Sequence, residues 1–381
     1  MSKEKYRLTI EPITCVHIGN GVELTPLEYF IGGNPKTHQD FFIKYSSDNI
    51  LKRCATDKDA MAKFDKATSS GRMKDVLDFF VEKRDLSLDI EYKCHVTKEF
   101  VSNFMKNKDV DPLQNGRFVL QMYRPEGSQN PVIPGSSIKG SIRTALLNFE
   151  LDNFYSKEEL RRLRDNQIQK ELLNSYKDAK EDPFRAIEIS DCNFETKGTQ
   201  LVGIINNIKK DHTGELVEHN TSTLQAEVIK GKLCSHNQSL SIGITHIRFN
   251  NDLSRSDLPI KGVSKRITKD AIIKACNTFY FKTFEYEYRK FYRDASDSNA
   301  DAITQLYKEL KHISSSDSNS FILRVGRWSQ VEFVTYGHDI STPKTPNRKG
   351  KQMLSGTTRW VFNNDGQYLP LGWCKCTIEE L

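Results

Sequence analysis

The sequence predicts an α+β protein made of two ferredoxin-like units with a helical insertion. Three observations point there. Segments rich in strand formers alternate with segments of helical periodicity, glycine turns separate them, and no regular short repeat is visible. A division near residue 195 gives an N-terminal unit, 1–195, with the insertion at about 47–110. The second unit, 196–381, carries the longer helices.

The elements follow in order. Residues Tyr6 to His17 are rich in strand formers and end in the turn Gly19-Asn20-Gly21, which makes them the first strand. Asp40 to Tyr45 is a second, short strand. From 47 to 110, Lys and Asp recur at helical intervals with Leu, Met and Phe between them, the pattern of a helical insertion. Arg117 to Tyr123 is a strand, and Pro125 to Gly135 a turn region. A helix starts at Ser136 or Ser137 and runs to about Glu150, followed by a polar helix over 156–179. Ala186 to Phe194 and Thr199 to Ile205 are strands, 211–223 a loose hairpin tip, and Ser239 to Phe249 another strand. The longest helix is Thr268 to Arg293, with Ile272, Phe279, Tyr286 and Arg293 spaced by sevens; a second covers Asp301 to Ile313. Phe321 to Val325, Thr358 to Phe362 and Leu369 to Ile378 complete the strands.

Composition sets limits. The 381 residues are 37% hydrophobic and 10% aromatic, enough for a packed core and unlike a disordered chain. The net charge of +6 permits a polyanionic partner without requiring one, so clustering matters more than the sum. Clusters occur at Arg161, Arg162 and Arg164, at Lys261, Lys265, Arg266 and Lys269, and at Lys344, Arg348, Lys349 and Lys351. Any one such run is as readily a solvated face as a site. The eight cysteines include no CxxC pair, which leaves a zinc site unsupported, and no other cofactor is expected. The first residues lack an apolar signal core and no run reaches membrane-spanning length. A cytoplasmic protein with reduced thiols and no membrane partner is the expectation.

The most informative segment is Pro131-Val-Ile-Pro-Gly-Ser-Ser-Ile-Lys-Gly-Ser-Ile-Arg143. Pro134 and Gly135 force a turn, and Ser136 or Ser137 can cap the helix that follows. Ile138, Ile142, Ala145 and Phe149 form its apolar stripe. Lys139 and Arg143, four residues apart, project together beside that stripe. The helix N-terminus offers amides and partial positive charge, so turn, amides and two cations are expected to converge on one anion. A nucleotide P-loop is excluded, because Ser141 stands where its lysine must be. A capped helix with solvated cations is the plain alternative. A loop gripping an RNA backbone explains glycine, hydroxyls and cations together.

Two further signals are weaker. A strand running into His17-x-Gly19-x-Gly21 sets an imidazole at a sheet edge, where it could act as acid or base on a ribose 2′-hydroxyl. No second acid or base is identifiable beside it, and a histidine bonded within its own turn is preferred. Leu323-Arg-Val-Gly-Arg-Trp-Ser329 is a strand entering a glycine turn flanked by Arg324 and Arg327. Its Trp328 either stacks a base or fills core. Lys261, Lys265 and Arg266 could meet phosphates ahead of the long helix.

Taken in order, Pro12 to Gly21 with Leu27-Glu28-Tyr29, Ile133 to Arg143, and Pro370-Leu-Gly-Trp373 resemble the RAMP superfamily of CRISPR-associated proteins. Within it they look like the fifth subunit of the type III-A Csm complex. The resemblance implies RRM-like halves and a non-catalytic subunit that caps the backbone filament at the 3′ end of the CRISPR RNA and is associated with maturation of that end. It implies crRNA as ligand, target RNA as a further one, and the backbone RAMP subunit and small helical subunit as partners. By motif, Gly135, Ser136, Ser137, Lys139 and Arg143 would face RNA, with His17 to Gly21 a neighbouring turn. Backbone subunits that cut target RNA carry an aspartate in an N-terminal loop; the matching stretch here, Tyr29 to Pro35, has none. The late loop is less glycine-rich than is usual in the family. The rival expectation is a metal-independent endoribonuclease using His17 with Tyr29 or a lysine.

Overall fold

A computed structural model describes residues 3–34, 39–106, 111–113, 117–154, 156, 158–159, 182–195, 199–206, 209–210, 216–217, 224–234, 241–250, 267–293, 297–316, 319–335, 344–346, 352–354, 359–364 and 367–381. Two large sheets, two short two-stranded ones and seven α-helices form an α+β structure among these residues.

The first sheet is antiparallel and has the chain's first strand, Lys3–Pro12, near its middle, between Trp373–Glu380 and Gly243–Asn250. Ser320–Arg324 lies beyond the former; Ile187–Ile189 and Cys192–Asn193 pair with the latter, and Val132–Ile133 closes that edge. Tyr6, Leu8 and Ile10 are buried while Lys5 and Arg7 are exposed, the period of two expected when one face meets a core. The strand stops at Pro12, five residues short of the expected end, since proline brings no N–H to a ladder. Residues 13–17 leave the sheet as a fully buried crossing: Ile13 N and Thr14 N donate to Trp373 O, and Val16 pairs with Ile229 of the second sheet.

The second sheet runs Gly19–Leu24, Val119–Met122, Leu224–Ile229, Thr199–Asn206, Ile90–Val96, Gln39–Tyr45, Tyr29–Asn34, with Trp360–Asn364 and then Gln367–Pro370 added beside Thr199–Asn206. Strands from both sides of residue 195 enter each sheet.

The expected insertion is helical only in part. Helices α1 (Ser47–Cys54), α2 (Lys58–Ser69) and α3 (Met73–Lys83) pack around Ile50, Phe79 and Phe80. Ser46 and Asp57 cap the first two by accepting backbone amides. Strand Ile90–Val96 and helix α4 (Lys98–Lys106) follow. That strand corrects the helical expectation, because Tyr92 and Cys94 alternate inward with exposed Lys93 between them.

Helix α5 (Gly135–Phe154) spans the predicted helix and extends four residues beyond Glu150. It packs with α6 (Lys269–Glu287) on the first sheet, burying Ile138, Ile142 and Ala145 against a core that includes Ile272, Ala275 and Cys276. Thr268 caps α6 by accepting from Ala271 N, and a π-helical turn, Tyr288–Tyr292, ends it. The sevenfold spacing does not mark one buried line: Ile272 and Phe279 are buried, whereas Tyr286 is 39% exposed, because a straight α-helix drifts about 20° per seven residues. Helix α7 (Asp297–Ser315) completes the layer. The polar helix expected at 156–179 lies almost wholly outside the described residues, as does most of the hairpin tip. All eight cysteines are buried, and none is in a disulfide. No helix among the described residues is long and apolar enough to cross a membrane.

Candidate nucleic-acid interface

The buried crossing at 13–17 delivers His17 and the Gly19-Asn20-Gly21 turn to the seam where both sheets meet α5. The loop after Arg324 arrives at the same place. Arg327 N donates to His17 O at 2.9 Å, and Val325 N to Gly372 O at 2.9 Å. Gly326 has φ +91°, and a Cβ there would lie 2.4 Å from His17 O, so only glycine permits the approach. Ser141 Oγ on α5 is 3.1 Å from Arg324 O, and Tyr280 OH donates to Ser141 O. Together these segments enclose an open groove of about 460 Å³, lined by Gly19 and Gly21, by Ser137, Gly140, Ser141 and Thr144, and by Gly326, Arg327 and Ser329. Three stretches singled out separately in the sequence thus share one surface.

The helix face in that groove is not the one expected. At about 100° per residue, Ser137, Gly140, Ser141 and Thr144 form one arc, and Lys139 with Arg143 lie roughly 130° around the helix. Arg143 bonds both carboxylate oxygens of Asp182, at 2.7 and 2.9 Å, and stacks over Phe184. Burial lowers the Lys139 ammonium from its ordinary pKa. The amide expected to receive an anion is also taken: Gly135 N donates to Asp191 Oδ1 at 2.8 Å, while Ser137 N closes on Pro134 O. Asp191 is therefore the cap, in place of Ser136 or Ser137. Ser136 is exposed, and Ser137 faces the groove. Convergence of amides with Lys139 and Arg143 is corrected to a stripe of hydroxyls around an open glycine: nothing stands within 4 Å of a Cβ built on Gly140.

His17 is fully buried, and it does not bond its own turn. Its Nδ1 meets Glu227 O at 2.7 Å, and because a carbonyl only accepts, Nδ1 carries the proton. Nε2 has no hydrogen-bond partner among the described residues. Burial, with Arg327 nearby, lowers the imidazole to about 4, so it is neutral at physiological pH. Tyr29, the suggested catalytic companion, is buried in the second sheet's core and donates to Arg117 O.

The two arginines flanking Gly326 diverge. Arg324 is buried, its guanidinium bonded to Glu287 at 2.9 Å and to Leu371 O. Arg327 is exposed over Trp328, 5.1 Å from the ring centroid, with no ion pair among the described residues. Trp328 is half-buried between His17 and Trp360, at 5.1 and 6.1 Å between centroids. Lys261, Lys265 and Arg266 lie outside the described residues.

Several residues that shape the site were not singled out in the sequence. Ser141 stands inside the motif and Thr144 one residue past it, both on the helix face away from Lys139 and Arg143. Glu227 lies wholly buried in a central strand, where Arg124, Tyr92 OH and Met122 N all bond its carboxylate. Its sequence, Leu-Gln-Ala-Glu-Val-Ile229, gives no sign of that partner.

A fold of two packed sheets with a glycine-lined groove fits one large class. A model of the RAMP superfamily matches residues 9–329, and the chain belongs to that superfamily. Two solved structures share the fold. One is a chain of the cryo-EM structure of a Csm–crRNA–target RNA ternary complex of a type III-A CRISPR-Cas system, with TM-score 0.66 and 16% identity over 98% of this chain and 100% of that one. The other is the crystal structure of T. onnurineus Csm5, with TM-score 0.59 and 16% identity over 96% and 99%. At such identity the likeness is one of fold. No curated protein matches the chain.

Proposed function

We propose that this chain is a non-catalytic, RNA-binding subunit of a type III-A CRISPR complex. Its ligand is the CRISPR RNA, held in the groove by phosphate and 2′-hydroxyl contacts with little base selection. In that role it caps the backbone filament at the crRNA 3′ end and supports maturation of that end, beside a backbone RAMP subunit and a small helical subunit. The observation that carries the reading is the meeting of the His17–Gly21 turn, the α5 hydroxyl stripe and the Gly326–Ser329 loop on one open surface. Hydroxyls and main-chain groups suit a sugar-phosphate strand, and Arg327 supplies a cation. Superfamily membership and a fold shared with a chain of an RNA-containing Csm complex support the same reading.

A cutting role finds less support. A buried imidazole lowered to about 4 is too weakly basic to take a proton from a ribose hydroxyl effectively. Purified chain incubated with single-stranded RNA, with or without divalent metal, should leave it intact. Binding should weaken with salt by about 0.7 log units per log unit of salt for each phosphate neutralised. Arg327→Ala should reduce that slope by about one phosphate's share. A slope that is unchanged in the variant removes Arg327 from the interface.

A further inference from the structure

We propose that the groove distinguishes RNA from DNA at a single sugar, by a hydrogen bond from a ribose 2′-hydroxyl to Nε2 of His17 formed when Trp328 moves off the imidazole and stacks on a base. The inference rests on the reading that the groove holds single-stranded RNA, and it goes further by assigning an atom to the choice of sugar.

Four observations combine. First, the bond from Nδ1 to Glu227 O fixes the tautomer, so Nε2 presents a lone pair and no proton. Second, that lone pair is buried and has no partner among the described residues, a state that protein interiors rarely leave without a use. Third, Nε2 points at the bare face of Gly19 in the groove lining: a Cβ built on Gly19 would stand 3.1 Å from it. Fourth, the cover over the ring is held in an unfavourable backbone state. Trp328 and Gln330 are the two non-glycine residues with positive φ among those described, both at 66°. Left-handed backbone is costly for a bulky residue and collects where segments must move or clamp.

The chemistry of the acceptor selects the ligand group. A phosphate oxygen is itself an acceptor and gains nothing from a neutral imidazole nitrogen. A hydroxyl donates. In the sugar, the 2′-hydroxyl is the group present in RNA and missing from DNA. Trp328 has the flat face that stacks a base, and where it rests on His17 it already has Trp360 beside it and the Arg327 guanidinium over its ring.

The test uses the full chain and a short single-stranded RNA into which one 2′-deoxy nucleotide is moved position by position. Wild type should show one position at which 2′-deoxy substitution weakens binding roughly tenfold, the worth of one hydrogen bond. Because His17 is buried, His17→Phe can harm folding. Gly19→Ala is the second variant, since it places a methyl against Nε2 from an exposed turn while leaving the imidazole itself in the chain. In either variant the single-position penalty should vanish. Binding of the RNA should also quench tryptophan emission in wild type and do so much less in Trp328→Phe. If wild type binds RNA but no position is sensitive, or the penalty persists in Gly19→Ala, the assignment to His17 is overturned while the RNA reading stands. If wild type binds no RNA, both are overturned.

Discussion

Arg324 ends a strand and Arg327, three residues on, lies in the loop that follows, and the two do opposite things. Arg324 turns inward to a closed set of charges: its guanidinium bonds Glu287, Glu287 also meets Arg359 at 3.0 Å, and Arg359 meets Glu332 at 2.6 Å. Stacking adds to this, with Arg324 over Phe333 and Arg359 over Phe291. Two positive and two negative groups balance there, away from water. Arg327 turns outward to a groove of glycines and hydroxyls where no carboxylate answers it among the described residues. The contrast teaches that charge in this fold serves two separate ends. Inside, it ties the end of the strand to α6; outside, the Arg327 guanidinium lies exposed over Trp328 with no ion pair among the described residues.

The comparison can be broken most severely from within. Glu287→Ala leaves Arg324 and Arg359 buried without their shared carboxylate and should cost about 3–5 kcal/mol in urea unfolding. A loss below 1 kcal/mol would mean that the cluster is wet or tolerant.

His17 comes next. Its folded-state value, about 4, lies below its ordinary 6.5, so as pH falls the unfolded chain takes up the proton first. The stability it contributes is whole above about 6.5 and is lost as pH falls toward 4, in total about 3 kcal/mol. Glu150, raised by burial to about 7, works in the opposite sense as pH falls from 7 toward 4.5. The readout is therefore the difference between wild type and His17→Phe, whose stability gap should narrow between pH 7 and pH 4.5. A gap independent of pH contradicts the buried neutral imidazole.

Asp191→Ala removes the cap on α5 and should cost about 1 kcal/mol, read by thermal or urea unfolding. The smallest change in stability belongs to the other end of the comparison. Arg327→Ala should alter unfolding by no more than about 0.5 kcal/mol while weakening RNA binding, the reverse of Glu287→Ala in both readouts.

Local chemistry made much of this legible. Pro134-Gly135 and the apolar stripe of Ile138, Ile142 and Ala145 announced α5, and Thr268 announced the start of α6. His17, Gly19, Gly21 and Arg327 were marked as candidates by their turns alone, and these turns do come together. Two further features are present in the sequence pattern. Ile90-Glu-Tyr-Lys-Cys-His-Val96 alternates as a strand should, and rotation about α5 already separates Lys139 and Arg143 from Ser137 and Ser141. The remainder was not readable locally. Glu227 looks like a surface residue until Arg124, 103 positions away, is seen beside it. Arg324 and Arg327 likewise share neighbours in sequence but not in space, since burial is decided by the strands and helices that arrive from elsewhere.

The central claim is that a single strand of RNA lies between α5 and the Gly326–Ser329 loop. Photo-crosslinking of the full chain to RNA carrying 4-thiouridine, followed by peptide mapping, tests it most directly. Crosslinks should fall on peptides containing residues 17–21, 137–144 and 326–329, and should diminish in Arg327→Ala. Crosslinks confined to other surfaces, with these three peptides unmodified, would contradict it.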